Sequence, residues 1–324
     1  MELAPIIVFA YNRPEHLKKT LTWLSQNKLA DQSVLYVYCD GLKESASKEQ
    51  TEKVEAARKV AHKIARVPRF KEVYFVEREE NLGLGISVIT GVTEVIKQYG
   101  KVIVLEDDLQ TSPMFLDYMN KCLDHYEKRK SVFSISGLSR PHPERFYPKD
   151  YPYDVYVSLV HHPTGWGTWE DRWEQVDWDV NLFEEVKHQP EMIEAFRRIE
   201  FGEYDALVHQ RQTNQNVWSV RFSFAHFVNH AISICPIVSY INHIGWDGEA
   251  TNAIGGGEIW NFERLADKKD IRLLDVLYED KRIINAWYSF SIPQPRSKWG
   301  KLKNWFGRKI LHRDEFALKG KVYV

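Results

Sequence analysis

The chain has 324 residues, of which 44% are hydrophobic and 27% are charged, and its formal net charge is −1. This composition is that of an ordinary globular protein and excludes a largely disordered chain. The balanced charge argues against a nucleic-acid-binding protein, because such domains usually carry a clear excess of Lys and Arg. Aromatic residues make up 13%, which fits a protein that packs rings against one another or against sugars.

The N-terminal half predicts alternating strands and helices. Short apolar runs indicate strands, and apolar residues at helical spacing indicate helices. The predicted strands cover residues 6–10, 34–39, 73–76 and 102–105. The first predicted helix begins at Pro14, and the next two cover residues 51–67 and 84–98. This order predicts an α/β fold with a mostly parallel sheet flanked by helices.

Polar residues follow each of the four predicted strands. They are Tyr11-Asn12-Arg13, Asp40-Gly41, Asn81-Leu82-Gly83 and Glu106-Asp107-Asp108. Ligands bind at the carboxyl ends of parallel strands, so these segments together predict a binding site. The second and third segments are also ordinary turn signals, and Gly83 and Gly85 do not complete a dinucleotide-binding fingerprint.

The acidic triplet Glu106-Asp107-Asp108 predicts a divalent cation site. Three carboxylates in a row raise one another's pKa unless a positive charge compensates them. Mg²⁺ or Mn²⁺ would supply that charge, with water and a diphosphate completing the coordination. The alternative is a solvated loop in which Asp108 or Thr111 caps the following helix.

The ordered set of motifs resembles the GT-A glycosyltransferases. Residues 5–14 are similar to the first strand and nucleotide loop of family-2-type enzymes, and the acidic triplet resembles the DXD motif in the Glu-Asp-Asp form of N-acetylglucosaminyltransferase I. Residues 162–173 and 241–248 resemble the Gly-Trp-Gly-x-Trp segment and the closing loop of bacterial polysaccharide glycosyltransferases. The matched segments extend from residue 5 to about residue 252.

The resemblance implies a metal-dependent enzyme that moves a sugar from a nucleotide-diphosphate donor, with a UDP-sugar favoured, to a glycan or lipid-linked acceptor. It implies Mn²⁺ or Mg²⁺ as cofactor, inversion of configuration and a role in surface polysaccharide biosynthesis. The donor-binding residues implied are Ala10, Tyr11, Asn12, Arg13, Asp40, Asn81, Gly83, Glu106, Asp107 and Asp108. The metal-binding residues would be Asp108 and His243, and the acceptor- or sugar-binding residues would be Gly165, Trp166, Trp218 and Asp247.

The catalytic base does not carry over from the resemblance. N-acetylglucosaminyltransferase I has an acid just before a Trp, and the comparable position here is Val217. Asp171 and Asp205 are therefore candidate bases by their chemistry alone. Trp166, Trp169 and Trp173 offer faces for a sugar ring, although their spacing also fits one buried helical face.

The chain divides into three predicted regions: a donor-binding half (1–135), an acceptor-binding and catalytic half of the same domain (136–292), and a tail (293–324). Seven basic residues and no acid lie between Arg296 and Arg313. An amphipathic helix of this kind can lie on an anionic membrane, and the alternative is a helix docked on the body of the protein.

The expected location is the cytoplasm, and the tail would allow a peripheral contact with the inner membrane. The N-terminus shows no signal peptide, and its longest apolar run is far shorter than the ~20 residues that span a bilayer. The three cysteines, Cys39, Cys122 and Cys235, are scattered and fit a reducing compartment.

Two other functions compete with sugar transfer. A sugar-1-phosphate nucleotidyltransferase would need a Gly-rich basic loop after the first strand, and residues 11–14 do not supply one. A non-catalytic glycan-binding or membrane assembly protein would fit the missing acid at Val217, but the intact acidic triplet ranks it below an enzyme.

Overall fold

A mixed sheet with helices on both faces organises the chain. The computed structural model describes residues 2–65, 69–139, 147–200, 202–213, 215–245, 262, 264–291 and 322–323. Within these residues, eight strands form the main sheet in the order β3-β2-β1-β4-β8-β6-β9-β7. These strands are β1 (Ile6–Ala10), β2 (Val34–Cys39), β3 (Glu72–Glu77), β4 (Lys101–Glu106), β6 (Val132–Ser136), β7 (Val155–Ser158), β8 (Trp166–Trp169) and β9 (Ile232–Pro236).

Two small antiparallel pairs complete the described strands. The first joins β5 (Leu109–Thr111) to β10 (Ile241–His243), and the second joins β11 (Leu277–Tyr278) to β12 (Val322–Tyr323). The described helices are α1 (Pro14–Leu24), α2 (Lys48–Ala65), α3 (Gly83–Tyr99), α4 (Phe115–Tyr126), α5 (Glu170–Trp173), α6 (Phe183–Val186), α7 (Pro190–Ile199), α8 (Glu203–Thr213), α9 (Trp218–Val228) and α10 (Lys281–Ser291). No helix in these ranges is long and apolar enough to cross a membrane.

The first four strands of the sheet order run parallel to one another, from β3 to β4. Beyond them, β8 is antiparallel to both β4 and β6, β9 is parallel to β6, and β7 is antiparallel to β9. The predicted α/β class, with a mostly parallel sheet flanked by helices, is confirmed. The predicted boundary at 135/136 falls inside β6, and β8 from the second half pairs with β4 from the first.

Side-chain alternation along β1 explains why both faces of the sheet are covered. Ile6 and Val8 pack in the cluster that contains the apolar residues of α1 and α2, whereas Ile7 and Phe9 pack in the cluster with those of α3. Successive side chains of a strand point to opposite faces, so a continuous apolar run needs a helix layer on each side.

The three tryptophans Trp166, Trp169 and Trp173 are all buried, as the core-packing interpretation predicts. They do not form one helical face. Trp166 and Trp169 are the two ends of β8 and belong to core clusters on opposite faces of the sheet, and Trp173 ends α5. Residues 166–169 form instead a strand that pairs with β4 on one side and with β6 on the other.

Candidate functional site

A cleft of about 770 Å³ opens at the carboxyl ends of β1, β2 and β4. Each of these strands is followed by a polar segment, and because the strands are parallel the segments meet at one edge of the sheet. All ten residues predicted to bind the donor line this cleft: Ala10, Tyr11, Asn12, Arg13, Asp40, Asn81, Gly83, Glu106, Asp107 and Asp108. Trp218 and His243 line it as well.

Asp40 holds together the loops that form one wall of the cleft. Its carboxylate accepts hydrogen bonds from the backbone N–H groups of Gly41, Leu82 and Gly83, each at 3.0 Å. Gly83 begins α3, so Asp40 satisfies free donors at that helix end and places a negative charge where the helix dipole favours it. The amide of Asn81 donates to the carbonyl of Gly41 at 2.8 Å and ties the same two loops.

Arg13 compensates two of the three acids in the triplet. Its guanidinium contacts Asp107 Oδ1 and Asp108 Oδ2, both at 2.8 Å. Asp107 and Asp108 are almost fully buried. Burial raises the pKa of Glu106, and the carboxylates of Asp108 and Asp107 raise it further. Burial also raises the pKa of Asp107, against the opposing effect of Arg13.

Helix α1 positions both partners of this ion pair. Pro14 occupies the first turn of α1, and a residue before proline is kept out of the helical region. The backbone of Arg13 is accordingly non-helical, with φ −118° and ψ 72°. One turn and a half later, the Thr20 hydroxyl donates to the carbonyl of Asp107 at 2.7 Å and accepts from the N–H of Leu109 at 3.0 Å. Thr20 therefore fixes the acidic loop relative to Arg13.

Asp108 fits the role of a cation ligand. Its Oδ1 atom is buried and has no hydrogen-bond partner among the described residues, and a buried carboxylate oxygen normally has one. The described residues contain no group of three or more His, Cys, Asp or Glu that could hold a metal on their own. The chemistry therefore fits an open site, in which one carboxylate binds the cation and substrate phosphates and water complete the shell.

His243, the second predicted metal-binding residue, lies beside Asp108 and lines the cleft. The strand pairing of β10 with β5 places His243 opposite Leu109, and its Nε2 is 3.7 Å from Asp108 Oδ2. The N–H of Gly245 donates to His243 Nδ1 at 3.1 Å. Burial lowers the pKa of His243, against the opposing effect of Asp108.

Neither predicted catalytic aspartate lies at the cleft, so both predictions are corrected. Because β8 runs antiparallel to β4, Trp169 pairs with Lys101 at the amino end of β4. Asp171 follows Trp169 and therefore lies at the opposite edge of the sheet, where it pairs with Lys130 and Arg172.

Asp205 lies on α8, away from the cleft lining. It is 63% exposed and pairs with Arg197 at 2.9 Å. Its surroundings are those of a solvated surface carboxylate.

Two predicted sugar-binding residues belong to the core instead. Trp166 is completely buried, with Trp218 stacked on one side at 5.0 Å between ring centroids and Trp173 at 5.8 Å. Gly165 has φ +57°, and a Cβ there would overlap the Ile241 side chain, so the position requires glycine. Trp218 remains at the cleft as predicted, and Asp247 lies outside the described residues.

Several cleft residues carry no signal in the sequence. Lys43 and Gln50 come from the segment after β2, and the stretch 215–219 forms the facing wall. The backbone of Asn216 approaches so closely that a Cβ at Gly85 would overlap it. The sequence comparison identifies Val217 as the position of the missing acid. It does not predict the contact between Gly85 and Asn216, because these residues are far apart along the chain.

A buried polar network supports the tryptophans behind the cleft. His226 Nε2 lies 3.1 Å from the Ser134 hydroxyl, which also lies 3.2 Å from His161 Nδ1. The ring of His161 packs against Trp166 and Trp218. Burial lowers the pKa of His226 to about 4, so this network contains neutral rings at pH 7.

Acid is expected to destabilise the protein through His226. Below pH 6.5 the unfolded chain protonates this histidine, whereas the folded protein keeps it neutral down to about pH 4. The unfolded state then binds more protons, so stability falls as pH decreases, by up to about 3 kcal/mol from this residue. Urea unfolding at pH 7.0 and pH 4.5 measures the loss. A His226→Gln variant should lose less over the same interval, and an equal loss would contradict the assignment.

Comparison with known proteins agrees with the motifs at the cleft. The GNT-I family model matches residues 1–200. The alpha-1,3-mannosyl-glycoprotein 2-beta-N-acetylglucosaminyltransferase of Arabidopsis thaliana is 26% identical over 123 residues. That alignment covers 35% of this chain and 27% of the plant protein, so the chain matches about a quarter of its relative's length.

Two solved structures match most of the chain at low similarity. S. aureus TarS 1–349 shows 13% identity and a TM-score of 0.39, over 74% of this chain and 59% of that one. A UDP-glucose pyrophosphorylase complexed with UDP-glucose shows 10% identity and a TM-score of 0.38, over 72% of this chain and 90% of that one. The family match extends over well more than half of the sequence and includes β1 to β4, Arg13 and the acidic triplet. The chain belongs to the GNT-I family.

Proposed function

We propose that the protein is a divalent-metal-dependent glycosyltransferase that uses a nucleoside-diphosphate sugar, with a UDP-sugar favoured. The observation that carries the proposal is the convergence of the ten predicted donor residues on one cleft around a buried acidic triplet. Membership of the GNT-I family supports it. The plant relative is named as an N-acetylglucosaminyltransferase, which makes UDP-N-acetylglucosamine the first donor to test.

The residues of the cleft divide the work of binding and orientation. Asp108 would hold Mn²⁺ or Mg²⁺ through its Oδ1 atom, and a bound cation of this kind neutralises a departing diphosphate. Asp40 and Asn81 keep the wall after β2 and β3 in place through their backbone contacts. Trp218 is largely buried and lines the cleft on the opposite side. Holding both reactants in line is worth up to ~7–11 kcal/mol of the barrier.

The acceptor that we propose is a glycan or lipid-linked glycan of a surface polysaccharide. The sugar would be transferred to it with inversion of configuration, at the cytoplasmic face of the inner membrane. The resemblance of residues 162–173 and 241–248 to bacterial polysaccharide enzymes supports the acceptor class. The basic, aromatic sequence from Arg296 to Arg313 supports contact with an anionic membrane surface. These residues lie outside the described ranges.

Calorimetric titration of the full chain with UDP, GDP and CDP, each with and without Mn²⁺, tests the proposal. We expect one nucleotide to bind, and to bind more tightly when Mn²⁺ is present. The same preparation is then assayed for transfer from the matching nucleotide sugars. Failure of all three nucleotides to bind would overturn the donor site and favour a non-catalytic glycan-binding protein.

Asp171→Asn and Asp205→Asn are each expected to keep nucleotide binding and sugar transfer within about twofold of the wild type. Asp205 is exposed, Asp171 is half-buried, and neither lines the cleft, so neither substitution changes a group that would contact the donor. Steady-state rates of the two variants check this. A loss of 100-fold or more in either one, with folding intact, would return that aspartate to the catalytic site.

A further inference from the structure

We infer that Arg13 is an internal counter-ion of the acidic triplet and competes with the divalent cation for Asp108. The inference rests on the proposed function in one respect, which is that Asp108 is the ligand of the cation. It adds that the same carboxylate already has a cationic partner within the protein. The cation and Arg13 would then bind Asp108 at each other's expense.

The contacts of Arg13 are those of a site-specific partner. The two ends of its guanidinium contact one carboxylate each, Asp107 and Asp108, at equal distances of 2.8 Å. The planar fork of arginine suits such paired contacts, which a lysine cannot reproduce. The Arg13 side chain is 18% exposed, so water screens these contacts only weakly.

Two neighbouring features hold Arg13 and the acids in this arrangement. Pro14 restricts the backbone of Arg13, and Thr20 fixes the backbone of Asp107 from the same helix. Gly245 packs over the pair: a Cβ at this position would overlap Asp108 and approach Arg13. The ion pair is therefore enclosed by α1 on one side and by the segment after β10 on the other.

The acidic triplet is only partly compensated by this arrangement. Arg13 occupies Asp108 Oδ2, while Oδ1 of the same carboxylate is buried without a partner among the described residues. A divalent cation at Oδ1 would lie within a few ångströms of the guanidinium and be repelled by it. Removing the guanidinium removes that repulsion and frees Oδ2. The affinity of the protein for the cation alone should therefore rise.

The experiment measures Mn²⁺ binding to the full chain without any nucleotide, from the electron paramagnetic resonance signal of free Mn²⁺. Arg13→Met removes the charge and keeps an apolar stem, and Arg13→Lys keeps the charge without the fork. Arg78→Met is the matched control, since Arg78 is also partly buried but contacts Tyr38 of β2 and Thr90 and Glu94 of α3, outside the cleft lining. We expect Arg13→Met to bind Mn²⁺ at least tenfold more tightly than the wild type, Arg13→Lys to gain less affinity than Arg13→Met, and Arg78→Met to bind as the wild type does.

Thermal unfolding gives a second readout. Mn²⁺ should raise the melting temperature of Arg13→Met by more than that of the wild type, because the cation replaces the lost positive charge. If Arg13→Met does not fold, the double variant Arg13→Met with Asp107→Asn removes one of the uncompensated acids. It is compared with Asp107→Asn alone, and the same tenfold gain is expected.

The outcomes separate this inference from the proposed function. Unchanged or weaker Mn²⁺ affinity in Arg13→Met, in a protein whose wild type binds Mn²⁺ together with UDP, would overturn the competition and leave the function standing. Absence of Mn²⁺ binding in every variant, and in the wild type with UDP, would overturn both.

Discussion

Replacing Asp108 with Asn is expected to weaken Mn²⁺-dependent nucleotide binding by roughly a hundredfold or more. The loss follows from the position of this carboxylate, which is buried, bound to Arg13 on Oδ2 and unpartnered on Oδ1. Truncating one partner of a buried charge pair typically costs about 2–5 kcal/mol. Asparagine keeps the size of the side chain but not the negative charge that attracts the cation.

Calorimetry with the nucleotide that binds the wild type, with and without Mn²⁺, measures this effect. Asp205→Asn is the control, because it removes the same charge from an exposed position. Circular dichroism and thermal unfolding must show that Asp108→Asn is folded. Nucleotide binding that is unchanged, and still responds to Mn²⁺, would rule out Asp108 as the ligand of the cation.

Replacing Trp166 with Ala is expected to destabilise the protein by about 3–5 kcal/mol, the usual cost of removing a large buried aromatic side chain. Trp166 has no exposed surface and contacts Trp218, Trp173 and Phe222. The cavity would open behind Trp218, so the cleft wall would also lose its support.

Guanidinium unfolding of Trp166→Ala and Trp166→Phe distinguishes packing from sugar binding. Phenylalanine fills part of the space and should recover part of the stability. A Trp166→Ala protein with wild-type stability and weakened sugar binding would show instead that this ring faces the substrate, as the resemblance of residues 162–173 implies.

The donor-binding residues can be predicted from the sequence because each group of them directly follows a strand of the parallel sheet. Each of β1, β2 and β4 ends in a short polar segment, and parallel strands bring such segments together without any further information. The positions of Arg13, Asp40 and Asp108 were predicted in this way. Their long-range hydrogen-bond partners cannot be predicted in this way, since the Leu82 and Gly83 N–H groups that bind Asp40 and the Thr20 contact to Asp107 join residues that are distant in sequence.

The prediction of Asp171 as a catalytic residue of the acceptor half is wrong, and the reason lies in the topology of the sheet. Asp171 follows the Gly-Trp-Gly-x-Trp segment, and its placement depends on the direction in which β8 enters the sheet. An antiparallel strand between β4 and β6 sends the residues after it to the edge opposite the cleft. The residues of β8 would be buried whether the strand ran parallel or antiparallel to β4, so the sequence does not indicate its direction.

The late position of β9 in the sequence also affects how the polypeptide acquires its structure during synthesis. Strand β6 pairs with β8 on one side and with β9 on the other, and β7 pairs with β9. Until the ribosome has produced Ile232–Pro236, one edge of β6 and the whole of β7 have no partner in the sheet. Unpaired apolar edges of this kind favour association between chains, and long-range pairing is slow to form. A fragment that ends at residue 200, where the family match ends, would therefore leave its sheet open, although it contains every acid of the triplet.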